Sequence, residues 1–158
     1  MKRRRVTYAS ARPIDKRLVW CSHTLTTGGD STAVVSSSGI PCTAVGFRWS
    51  IAVRSSLATA GHSGMWAMVV VPDGESVNSV STTDGNDLYT PEQNVLAFGV
   101  FTFNDVDANT GGNEVQRYDG STKTQRKLRA GDSIYLISQS TAASSGTLVG
   151  IVQMFCRT

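Results

Sequence analysis

Histidine is scarce in this 158-residue chain: there are two, His23 and His62. They lie far apart, and neither belongs to an HxH or HExxH pair. The closely spaced imidazoles of a small-barrel metal site are therefore missing. A GxSxG nucleophile elbow and a GxxxxGK[ST] phosphate loop are also absent. Cysteine is limited to Cys21, Cys42 and Cys156, an odd number without a CxxC. Each sits in an apolar segment and reads as a buried free thiol rather than a zinc ligand or half of a disulfide. Charged residues make up 17% of the chain, against a typical ~25%. Ala, Leu, Glu and Lys are too few for a helical bundle. The longest apolar run, MWAMVVV at 65–71, is far short of the ~20 residues that cross a bilayer. No apolar stretch follows the opening MKRRR, so neither a secretory leader nor a membrane span is expected.

Hydroxyls and glycine are what the chain has in place of charge. Ser and Thr together number 36, and Gly adds 15. Short apolar segments alternate with turn chemistry such as Thr27-Gly28-Gly29-Asp30, Pro72-Asp73-Gly74 and Ala130-Gly131-Asp132. The clearest strand is residues 42–54. Val45, Phe47, Trp49, Ile51 and Val53 fall on one face; Gly46, Arg48, Ser50, Ala52 and Arg54 fall on the other. Residues 65–71 are apolar on both faces and predict a strand covered on both sides. Further strands are expected at 17–26, 95–103, 122–129, 133–139 and 147–156, seven in all, and residues 31–37 could supply an eighth. The long links at 55–64, 72–94 and 104–121 favour Greek-key crossings over a meander. The fold class read from this pattern is an all-β antiparallel sandwich or barrel.

The net charge of +3 conceals a division. Residues 1–17 hold Lys2, Arg3, Arg4, Arg5, Arg12, Lys16 and Arg17 against Asp15, or +6; the remainder carries −3. The chain divides into a basic arm, 1–16, and a β domain, 17–158. A flexible run of Lys and Arg binds phosphates by counterion release and needs no base-specific geometry. Tyr8 is the arm's aromatic, suited to stacking on a base. A second basic set comprises Lys123, Arg126, Lys127 and Arg129, with Arg117 nearby. If 122–129 is a strand, Lys123, Lys127 and Arg129 share one face and Arg126 takes the other. A solvated, charge-protected edge strand is the plainer reading; a nucleic-acid lining or inter-subunit salt bridges are the alternatives.

No catalytic centre, cofactor or metal is read from the sequence. His62, in AGHSG, is expected as a solvated loop histidine. His23 alternates with Cys21 and Leu25 and is expected in the core or an interface. Asp105, Asp107, Asn109 and Gly111 alternate like the start of a calcium loop. Thr110 and Gln116 stand where that loop needs Gly and Glu, so a plain polar loop is favoured.

Four segments carry a resemblance: MWAMVVVPDG (65–74), DLYTPEQNVLAFG (87–99), TKTQRKLRAGDSIYLI (122–137) and GTLVGIVQMFC (146–156). With the basic start, the chain resembles capsid proteins of small circular Rep-encoding single-stranded DNA (circovirus-like) viruses, and is also similar to capsids of small satellite RNA viruses. The resemblance implies an eight-stranded jelly roll and a homo-oligomeric T=1 shell of 60 copies. It also implies an internal arm on a single-stranded DNA (or RNA) genome, and a chain found in the virion and, during assembly, in the host nucleus or cytoplasm. A host receptor is implied but not identified, and no membrane partner is. The expected nucleic-acid contacts are Lys2, Arg3, Arg4, Arg5, Arg12, Lys16, Arg17, Lys123, Arg126, Lys127 and Arg129. Trp66, Tyr89, Phe101, Phe103 and Phe155 are candidate interface anchors, with core filling the alternative, weighed at least equally for Trp66 and Phe155. The competing reading is a non-viral jelly-roll binding module, trimeric cytokine-like or lectin-like.

Overall fold

Period-2 alternation turns one side of each segment inward, and two such faces must cover each other. The computed structural model describes residues 14–35, 41–56, 61–77, 94–104, 115–142 and 146–157. Eight strands follow in order: β1 (Asp15–Leu25), β2 (Asp30–Val35), β3 (Cys42–Ser55), β4 (His62–Val71), β5 (Val95–Phe103), β6 (Val115–Leu128), β7 (Ser133–Ser140) and β8 (Gly146–Arg157). One sheet has the order β1-β8-β3-β6 and the other β2-β7-β4-β5. All pairings are antiparallel. β1 pairs with β8, β2 with β7, β3 with β6 and β4 with β5. This is a long antiparallel ribbon wound on itself, the expected jelly-roll β-sandwich.

The space between the sheets is filled by fully buried Trp66, Phe47, Phe101, Phe103, Leu25, Ile51, Met68, Ile134, Leu136, Leu148 and Met154. Trp66 packs edge-on against Trp49, 6.1 Å between ring centroids, and against Tyr118 at 5.9 Å. Two glycines make room for the indoles. A Cβ on Gly120 would stand 2.5 Å from Trp49, and one on Gly99 would collide with the Trp66 ring. A second apolar cluster, Ala67, Val69, Val71 and Ile137, lies on the far side of the β4–β7 sheet. β4 is thus covered on both faces, as its continuous apolar run predicts.

His23 joins the two sheets. It projects inward from β1 and is 2% exposed. Its Nδ1 lies 2.9 Å from the Ser138 hydroxyl on β7, and its Nε2 lies 2.7 Å from the Thr32 hydroxyl on β2. Burial lowers its pKa, partly opposed by the Asp30 carboxylate.

At another corner, β6 side chains cover the free edge of β5. The Gln116 amide donates to the Thr102 carbonyl at 2.6 Å. The Tyr118 hydroxyl lies 2.8 Å from both the Val100 carbonyl and the Gln116 side-chain oxygen, donating to one at a time.

Four expectations need correction. β6 starts at Val115, so residues 115–121 are strand and not loop; its inward positions hold Gln116, Tyr118, Gly120 and Thr122, which hide the apolar alternation. His62 is not a solvated loop residue: it opens β4 opposite Phe103, is 4% exposed, and its ring lies 5.0 Å from that of Phe103. Neither of its nitrogens has a partner among the described residues. A bulge between Ala44 and Gly46 puts Ala44 in the core and leaves Val45 half-buried, since an extra residue resets the alternation. Phe101 and Phe103 are buried and cannot anchor an interface, and Trp66 takes the core-filling alternative. Phe155 is half-buried on the outward side of β8, and Tyr89 lies outside the described residues.

Candidate nucleic-acid interface

The two outer faces of the sandwich differ in charge. In the β1-β8-β3-β6 sheet, the outward positions place Lys16 on β1, Arg48 and Arg54 on β3, Arg117, Lys123 and Lys127 on β6, and Arg157 on β8. All seven are exposed. Asp119 is the one acid at an outward position among the described residues of that sheet. The outward positions of the other sheet carry no charged residue among those described: Ala67, Val69, Ile137 and Gln139 are buried there, Met65 and Tyr135 half-buried, and Phe98 and Val100 exposed. Strand alternation enforces this separation, because a residue cannot change face without a slip in register.

The second basic set lies at one end of the charged face. β6 is an edge strand, as the plainer reading of that segment holds. Lys123 and Lys127 point outward, and Arg129 follows in the turn, exposed. A depression of about 520 Å³ is lined by Lys127, Arg129 and Arg157 together with Thr43 and Gln125. Arg126 takes the opposite side: it is half-buried and donates to the Asn94 side-chain oxygen at 2.9 Å. Arg126 thus serves the join between the sheets, while the other three face solvent.

The turn that positions Arg129 is built on Asp132. Its carboxylate accepts from the Arg129 amide at 2.8 Å and from the Asp73 amide at 3.1 Å. The Asp132 amide in turn donates to the Arg129 carbonyl at 3.2 Å. Gly131 has φ +94°, and a Cβ there would strike the Asp73 side chain. The Arg129–Asp132 turn and the Pro72–Gly74 turn are thereby locked together.

Lys16 and Arg17 belong to β1, which starts at Asp15. The division of arm from domain after residue 16 falls inside this strand. Lys16 lies on the charged outer face; Arg17, opposite Met154, takes the inward parity but stays exposed at the sheet edge. Lys2, Arg3, Arg4, Arg5 and Arg12 lie outside the described residues, as does the 105–111 polar loop.

The sequence reading did not bring in Arg48, Arg54 or Arg157. The signal was present for β3, whose alternation puts Arg48 and Arg54 on the solvent side. Only the sheet order sets them beside β6 and β8.

Cys21 and Cys156 are buried, Cys42 is half-buried, and all three are free thiols. Burial pushes the Cys21 thiol up to about 11. Burial also raises Cys42, with Cys156 beside it adding to the effect and Arg17 opposing it. The described residues contain no group of three or more His, Cys, Asp or Glu able to hold a metal. They contain no helix long and apolar enough to cross a membrane. What the charged face offers chemically is a set of guanidinium and ammonium donors, suited to phosphate oxygens.

No protein-family description matches the chain, and no curated protein matches it. Among solved structures it is similar to dimeric latent PorU from Porphyromonas gingivalis, with TM-score 0.47 and 6% identity over 94% of this chain and 14% of that one. It is similar to infectious bursal disease virus Gx strain, with TM-score 0.39 and 12% identity over 92% of this chain and 32% of the other. It is similar to the empty head of turnip yellow mosaic virus, with TM-score 0.39 and 11% identity over 100% and 87%. The chain thus spans less than a third of the first two. At these scores the likenesses bear on neither mechanism nor partner.

Proposed function

We propose that this chain is a viral coat protein that assembles into a small icosahedral shell around single-stranded nucleic acid. The finer form of the proposal is sixty copies in a T=1 shell, with a DNA genome of the circovirus-like kind. One observation carries the reading: charge is segregated between the two outer faces of a jelly roll. One face and the basic arm suit a polyanion, while on the other sheet the β4 and β7 positions Ala67, Val69 and Ile137 are already covered and the uncharged β5 side is what is left to contact protein. Phe98 and Val100 are 71% and 59% exposed on the uncharged side, and large apolar side chains in that position favour burial against a second copy. No step in this role requires a catalytic group. Each copy supplies cations, and assembly multiplies them.

Electron microscopy and sedimentation of the purified full chain test the proposal, together with the 260/280 nm absorbance ratio of any particles. Closed shells containing nucleic acid are the expected result. A monomer at every salt and protein concentration overturns the reading. A discrete glycan-binding trimer overturns it in favour of the binding-module reading. Removal of residues 2–13, which stops short of β1, should leave assembly intact and lower the nucleic-acid content. It should also reduce the slope of log K against log salt by roughly 3.5 for the five cations removed, at ~0.7 per phosphate contact.

A further inference from the structure

Trp20 is the exposed tryptophan of the described chain, at 63%, and it stands on the charged face. It projects outward from edge strand β1 opposite Ile151, 38% exposed, and two residues from Leu18, 67% exposed. Leu18 and Ile151 line a shallow depression of about 480 Å³ with Arg48, Gln153, Asp119 and Ser121. Across the register, Trp20, Ile151 and Ser50 form one row, and Leu18, Gln153 and Arg48 form the next. At ~4.8 Å between strands and ~3.3 Å per residue, Arg48 lies roughly 12 Å from Trp20, and Lys16 lies roughly 13 Å along β1.

We propose that Trp20 is a base-stacking platform for single-stranded nucleic acid, with Lys16 and Arg48, both displaced toward the Lys16 end of β1, holding the adjoining backbone. This rests on the nucleic-acid half of the function proposed above and names the surface that performs it. Two physical facts favour this occupant. An indole left in water is costly unless something covers it, and the face around it is cationic by seven residues to one. Protein-contact cores are depleted in charge, whereas single-strand grooves pair cations with flat rings that stack on any base. Unpaired bases are required, because a duplex keeps its ring faces inside the stack.

The test is a titration of the full chain at low salt with a thymidine 30-mer and with a duplex of equal length. Binding is followed by tryptophan quenching for the parent and by oligonucleotide anisotropy for all variants. Trp20→Ala should weaken single-strand binding five- to a hundredfold and leave duplex binding within twofold. Trp20→Phe should recover most of the loss. Arg48→Ala should weaken both ligands and lower the salt slope. Thermal melting is expected to be unchanged in all three variants, because the side chains are exposed. Single-strand binding undiminished in Trp20→Ala overturns the platform while leaving packaging by the arm in place. A parent that binds neither nucleic acid overturns packaging itself. A Trp20-dependent affinity for polyglutamate equal to that for the 30-mer overturns the assignment to nucleic acid and gives the face to an acidic protein.

Discussion

Acid should weaken this sandwich through His23. The imidazole is buried between hydroxyls on β2 and β7, and the neutral ring satisfies both by donating to one and accepting from the other. Protonation would place a positive charge in a desolvated site, which is why burial lowers the folded pKa. In the unfolded chain the ring titrates near 6.5. Below that pH the unfolded state takes up a proton that the folded state does not, so stability falls as pH drops. If the folded ring stays neutral throughout, the loss between pH 7.5 and 5.5 is about 1.4 kcal/mol. The Asp30 carboxylate makes this an upper bound. Urea unfolding at the two pH values, in the parent and in His23→Gln, isolates the effect, because every other titrating group is common to both and cancels. The variant should lose about 1–3 kcal/mol at pH 7.5 through the broken inter-sheet bonds, and it should lose less than the parent on acidification. An identical pH dependence in the two proteins would refute the argument.

Gly120→Ala should destabilise the fold by about 1–3 kcal/mol, read as a lower denaturation midpoint, because the new methyl meets the Trp49 ring at 2.5 Å. Trp49→Phe in the same background should restore part of the loss. Asp132→Ala removes two hydrogen bonds to a carboxylate and should cost about 1–3 kcal/mol. Asp132→Asn should retain part of that stability in the same unfolding assay.

Most of the fold was legible because alternation is a direct record of a half-buried strand, as in β3, and a short continuous apolar run bounded by turns marks a covered one, as in β4. Legibility failed where the inward side chains were not apolar. The first half of β6 turns half-buried Gln116, Tyr118 and Gly120 inward, where they fit around Trp49, Trp66 and the β5 edge. No periodic hydrophobic signal is left to find. His62 failed for a related reason: glycines and serine around it look like a loop, and only its pairing opposite Phe103 draws it inside. At the candidate interface, the local set Lys123, Lys127 and Arg129 could be read from one segment. Arg48, Arg157 and Trp20 join it only through sheet order, which depends on partners about a hundred residues away. Charge segregation between two faces is a property of topology, and composition reports only its average.

The coverage of the β5 edge by Gln116 and Tyr118 sets a rule for how copies of this chain meet. An open edge would let a second molecule extend the sheet through backbone hydrogen bonds, a mode of growth with no built-in limit. With the Val100 and Thr102 carbonyls already occupied from within the same molecule, that route is closed at β5. Neighbours on this side must dock through side chains such as Phe98 and Val100. Their angle of approach is then fixed by the shape of the contact and not by the pitch of a sheet. Such contacts can close into a finite object, and they can come apart again without any strand leaving its fold.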